Sequence, residues 1–148
     1  MPMDVIFGRM HPLVIHFPIA LILLAAAIEV IRIKWDRPYL SQMTLFLLLA
    51  GALGALAASA TGWVFSHEYY PPPSEQWMLE RHRWLGISTA VLAGMASVAA
   101  YRWAGVSTGI TLWLRRGIIW LTALAVTVTA HLGALMVWGA DYFQFGTP

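Results

Sequence analysis

The 148-residue chain contains no cysteine. That absence excludes disulfides, thiolate metal sites, c-type haem attachment and cysteine nucleophiles. Charge is nearly as scarce. Asp, Glu, Lys and Arg make up 11% of the residues, against about 25% in soluble domains. Hydrophobic residues reach 59%, and mean hydropathy is +0.68. A soluble enzyme of this length needs more polar surface, and a disordered chain needs fewer apolar residues. The net charge of +2 is small and the basic residues are scattered, so no nucleic-acid face is expected. No hydrolase triad, phosphate loop, nucleotide fingerprint or metalloprotease motif is present. What remains is a polytopic membrane protein.

Charged residues divide the chain into four uncharged runs, bounded by Arg9 and Glu29, Arg37 and Glu68, Arg83 and Arg102, and Arg116 and Asp141. Each is close to or above the roughly 20 residues that cross a bilayer as a helix. Lipid supplies no hydrogen-bond partners, so the runs should be helical. Helices are expected over 12–32, 42–66, 79–102 and 114–139. They form one transmembrane domain spanning 1–148, an all-α antiparallel four-helix bundle. The first run, long and without a preceding basic stretch, is expected not to be a cleaved signal peptide, although Ala25-Ala26-Ala27 resembles a cleavage site.

Arg32, Lys34 and Arg37 follow the first helix, and Arg102, Arg115 and Arg116 follow the third. Arg9, Arg81 and Arg83 lie at the opposite side. The positive-inside rule then puts both termini outside. Trp35, Trp103 and Trp113 at one boundary, with Trp77, Trp84 and Trp138 at the other, read as an aromatic belt. Pro71-Pro72-Pro73 is expected to be stiff, extended and non-helical, forming a cap over the outer mouth.

Gly51, Gly54, Ala58 and Gly62 in the second helix, and Gly86, Ala90 and Gly94 in the third, form small-residue ridges that let backbones approach. The first and third helices each begin with a histidine, a faint sign of a two-fold repeat. Glu29 is expected to pair with Arg32 at i,i+3 near the inner boundary. A transporter would show broken helices or mid-membrane charge; the inner half here reads as lacking polar residues, so no ion path is expected.

All five histidines, His11, His16, His67, His82 and His131, fall in the outer half under this topology. Each has an ordinary alternative role, as a boundary residue or a partner for a backbone carbonyl. Together they place imidazoles from three spans in one layer, where ionisable groups are expensive and mark function. Neutral imidazole ligates iron, copper and zinc. Haem b held by two histidines on facing helices requires no cysteine and suits an electron-transfer role. By depth, His16 with His131 is the first choice of ligand pair, and His82 with His131 the next. The histidine left out of the pair, His82 or His16, would then be a proton carrier or quinol contact, and His11, just before Pro12, an entry cap or a further candidate. Gly86 and Gly133 offer room for the ring, and Arg9, Arg81 and Arg83 suit its propionates. A copper or zinc site is an alternative, with Met10, Met78 and Met136 on the same side. A cofactor-free structural subunit of a larger complex is another. Rings pointing away from each other, out to lipid or each tied to a neighbouring carbonyl, would collapse the redox reading and leave that plain scaffold.

The segment His11-Pro12-Leu13-Val14-Ile15-His16-Phe17-Pro18-Ile19-Ala20-Leu21 resembles the opening of an uncharacterised family of bacterial four-helix membrane proteins, a domain of unknown function with an H-P-x-x-x-H-F-P start. His82-Arg83-Trp84-Leu85-Gly86, His131-Leu132-Gly133 and Thr61-Gly62 match its later motifs, whereas Ala134 stands where a second glycine is frequent. The acidic residue that often follows Thr61-Gly62 is missing. The resemblance implies four helices in a bacterial cytoplasmic (inner) membrane, with His16, His82 and His131 as matched positions and His11 beside them. Some relatives accompany cytochrome c or Rieske-type modules, which implies a redox partner.

Overall fold

A computed structural model describes residues 3–139, which are helical with short connections. Four helical segments are long and apolar enough to cross a membrane. The first is broken into α1 (Met3–Arg9), α2 (His11–Val14) and α3 (His16–Lys34). Two prolines explain the breaks. Pro12 has no N–H for the carbonyl of Gly8, and Pro18 none for that of Val14. The chain continues through bonds from Val14 N–H to Met10 O and from Ile19 N–H to Ile15 O. The other spans are α4 (Pro38–Phe65), α5 (Gln76–Arg102) and α6 (Gly109–Trp138).

The expected spans fall largely within these helices, but the flanking charges belong to the helices and not to the loops. Arg32 and Lys34 end α3, and Arg115 and Arg116 lie in the second turn of α6. Pro73 opens a 3-10 turn, Pro73–Glu75, which corrects the expectation of a wholly non-helical proline run. At the first helical position proline loses no intrahelical bond.

Long-range hydrogen bonds fix the topology. At one end, His11 reaches Ala58 near the end of α4, His82 reaches Thr129 in α6, and the Tyr69 hydroxyl donates to Met136 O. At the other, Ser41 donates to Ala104 O and Arg116 to Arg32 O. Successive helices therefore run in opposite directions. Each packs on the next, and α6 closes back on α3.

Small side chains set the helix spacing. Ala25, Ala93 and Ala96 are fully buried. On α4, a Cβ at Gly51 would lie 2.9 Å from Ile22, and one at Gly54 3.2 Å from Pro18. The expected α5 ridge is only partly real, because Gly94 has nothing within 4 Å of a Cβ.

The halves repeat with an offset of 71, the difference 82 − 11 between the two histidines that open them. Pro18, Ile22, Ala25, Ala26, Ile28 and Glu29 are buried on α3, and so are their counterparts Thr89, Ala93, Ala96, Ser97, Ala99 and Ala100 on α5. Thr44, Leu48, Gly51 and Ala55 on α4 correspond in the same way to Arg115, Ile119, Thr122 and Val126 on α6. The two helical hairpins thus share one burial register.

Candidate functional site

The repeat brings His11 and His82 together. Their ring centroids lie 6.2 Å apart with planes at 82°. Each ring is seated by the same device. His11 Nδ1 is 3.0 Å from Ala58 O, and His82 Nδ1 is 2.9 Å from Thr129 O, both across a sequence separation of 47. One turn beyond each carbonyl is a glycine against which the ring packs. A Cβ on Gly62 would stand 2.7 Å from His11 Cε1, and one on Gly133 3.0 Å from His82 Cε1.

A carbonyl only accepts hydrogen bonds, so Nδ1 carries the proton in both rings. In a neutral imidazole that leaves the lone pair on Nε2. Thr61 Oγ1 lies 3.3 Å from His11 Nδ1, and Phe65 stacks on the same ring at 6.3 Å. Thr89 and Thr129 hydroxyls meet at 3.2 Å below His82. Both imidazoles are part-buried at one end of the bundle, here called the histidine end.

The pair favoured by depth is arranged differently. His16 and His131 are both exposed on the outside of the bundle, as is His67. Depth gives the level of a residue but not its rotation. Five residues turn a helix by about 140° beyond a full turn, so His16 faces away when His11 faces inward. Two residues separate His131 from Gly133, about 200°, and Gly133 is the one that meets His82. Gly133 is therefore filled by an imidazole and is not open space. The repeat offset was the signal that would have selected His11 with His82.

Around this end, Arg83 lies over the Trp63 ring at 4.0 Å and exposed Arg81 over Trp77 at 5.2 Å. Arg9 pairs with Glu68 at 3.4 Å. Met78 is buried, whereas Met10 is exposed. The Ser66–Pro71 segment and the start of α5 border an open groove of about 650 Å³, lined in part by His67, Tyr69, Glu80, Arg83 and Trp84. No group of three or more His, Cys, Asp or Glu side chains suited to a metal occurs among the described residues.

The opposite, arginine end holds a cluster that the sequence reading missed. Glu29 is fully buried and accepts from Arg32, as the i,i+3 spacing suggested. Arg115 Nη2 and Arg116 Nε also approach Glu29 Oε2, at 3.6 and 3.5 Å. Arg115 Nη1 donates to Trp103 O at 2.6 Å, at the end of α5, and Arg116 Nη2 to Arg32 O at 3.1 Å, near the end of α3. Ser97, Thr44 and Thr122 are buried between the ends. The expectation of an inner half without polar groups is therefore wrong. The four charges fall inside the expected spans 12–32 and 114–139, but hydropathy and spacing do not say that they turn inward rather than towards the boundary.

No curated protein and no solved structure matches the chain. A family model described as predicted membrane protein (DUF2231) matches residues 9–142, and the chain belongs to that family.

Proposed function

We propose that this is a bacterial inner-membrane redox protein in which His11 and His82 hold haem b and pass electrons at the outer face. The observation that carries the reading is the convergence of two imidazoles from separate spans, 6.2 Å apart with the lone pair of each on Nε2; their carbonyl ties are equally what a plain scaffold requires. Ligating histidines characteristically donate their other ring N–H to a carbonyl, which fixes the tautomer and frees Nε2 for a metal.

Two protein ligands do not complete a zinc site, which takes four in structural sites. A metal held by this pair must bring its other ligands with it, as haem iron does, and the bound group would supply one-electron transfer. Arg83 and Arg81 stand at the same end to receive its propionates. A soluble or quinol electron donor is the partner class that follows. Six basic residues at the arginine end against three at the histidine end support the outer placement.

A second reading rests on the same contacts: each imidazole, satisfied by a carbonyl and seated on a glycine, serves only as a staple between helices. A visible spectrum of the detergent-purified protein, oxidised and dithionite-reduced, separates the two. A Soret band with sharp reduced α and β bands, lost in His11→Ala and His82→Ala but kept in His16→Ala and His131→Ala, is the expected result. A colourless protein, with those first two variants merely less stable, overturns the haem reading in favour of the staple.

A further inference from the structure

We propose that the arginine end binds a phosphate-bearing anion at the seam between α3 and α6, with the headgroup of an anionic lipid as its source. The inference is independent of the histidine pair, which lies at the other end of the bundle.

Charge balance is the first argument. Arg32, Lys34, Arg37, Arg102, Arg115 and Arg116 share this end with two acidic residues, Glu29 and Asp36. The C-termini of α3 and α5 and the N-termini of α4 and α6 meet here, so their half-charges offset each other. Six basic against two acidic residues leave an excess of four positive charges.

Hydrogen bonding is the second. The side chains of Arg32, Arg115 and Arg116 are 2%, 1% and 6% exposed. Arg115 Nε and Nη2, Arg116 Nε and Glu29 Oε2 are buried without a hydrogen-bond partner. Two guanidinium groups thus converge on one carboxylate oxygen from beyond hydrogen-bonding distance. Buried donors left in this state cost about 1–3 kcal/mol each, more when charged. A phosphate presents several acceptor oxygens, which suits guanidinium forks better than one carboxylate does.

Position is the third. The α3–α6 seam is the sparsest of the four neighbouring contacts in the bundle. The α3–α4 connection at the same end carries exposed Lys34 and Arg37, and Asp36 is partly open beside Arg32. Trp113, exposed at 54%, lies against Arg116 with 5.5 Å from guanidinium to ring centre. An indole at that level marks the headgroup zone, and basic pockets between spanning helices take anionic headgroups. The cluster also breaks the internal repeat: Glu29 answers to Ala100, and Arg115 to Thr44. Packing alone did not require charge here, since the other half packs without it.

The test is thermal melting of the full chain in mild detergent, titrated with phosphatidylglycerol, with phosphatidylcholine and with inorganic phosphate. Phosphatidylglycerol should raise the melting temperature saturably and phosphatidylcholine should not. Inorganic phosphate acting as well would place the source in free phosphate, with the same chemistry. Arg116→Gln should weaken phosphatidylglycerol about tenfold, the loss of one charge-assisted bond. Glu29→Gln, which removes the competing carboxylate, should leave binding as tight or tighter. If Arg116→Gln does not fold, the double variant Lys34→Gln/Arg37→Gln gives the reading, with an expected weakening of several-fold. Equal responses to the two lipids, or an unchanged phosphatidylglycerol response in the variants, overturn the proposal and leave a structural tie between α3 and α6.

Discussion

Gly62 and Gly133 stand where a methyl group would collide with an imidazole that cannot easily retreat. Each ring is tethered through Nδ1, to Ala58 O and Thr129 O, so displacement also breaks a hydrogen bond. Gly62→Ala and Gly133→Ala should each destabilise the bundle by about 1–3 kcal/mol, with Gly62→Ala the worse because its contact is closer. Gly94→Ala, where a Cβ meets nothing within 4 Å, should be neutral or stabilising by up to about 1 kcal/mol. Melting of the three variants in one detergent checks the order. At this scale the sequence disclosed the right residue types but not their azimuth. The histidine layer was legible from position along the spans. Which histidines face inward was not, because two or five residues of offset on a helix exchange the core face for the lipid face. His16 and His131 show that directly.

The ends of α3 and α5 carry unpaired carbonyls, and arginines of α6 satisfy several of them. Arg115 Nη1 serves Trp103 O, with longer approaches to Ala104 O and Val106 O, while Arg116 reaches Arg32 O. One helix thereby ties the last turns of two others, and Glu29 gathers the guanidinium groups. Removing the carboxylate by Glu29→Leu should cost about 3–5 kcal/mol, because it leaves buried cations without their counter-ion. Pairing Glu29→Leu with Arg116→Leu should cost less than the sum of the single changes, with a coupling of about 0.5–3 kcal/mol. Denaturation of the four proteins in mixed micelles measures that cycle, and strict additivity would contradict the shared network. The spans themselves were legible because hydropathy and length dominate in lipid. The inward turn of their charged ends was not: the expected spans 12–32 and 114–139 include Arg32, Arg115 and Arg116, but hydropathy does not say that those side chains turn towards the core. The two breaks at α2 were written in Pro12 and Pro18, which lack the N–H that the ladder requires.

Over the whole molecule, the two hairpins share a burial register that little residue identity betrays. Ala25 and Ala96 match in type as well as burial, yet Thr44 answers to Arg115 and Glu29 to Ala100. What the repeat conserves is which positions face inward; the two ends then diverge in chemistry. Imidazoles collect at one end, and guanidinium groups with a single buried carboxylate at the other. That polarity predicts sidedness, since basic residues near span ends are retained in the cytoplasm. The absence of cysteine makes the test clean, because a single introduced thiol reports alone. Tyr70, 87% exposed beyond α4 at the histidine end, and Ser107, exposed between α5 and α6 at the arginine end, are suitable positions. In intact cells whose outer membrane has been permeabilised, a membrane-impermeant maleimide should label Tyr70→Cys and spare Ser107→Cys. Full lysis should expose both. The reverse pattern would put the histidine pair at the cytoplasmic face and remove the case for electron transfer at the outer one.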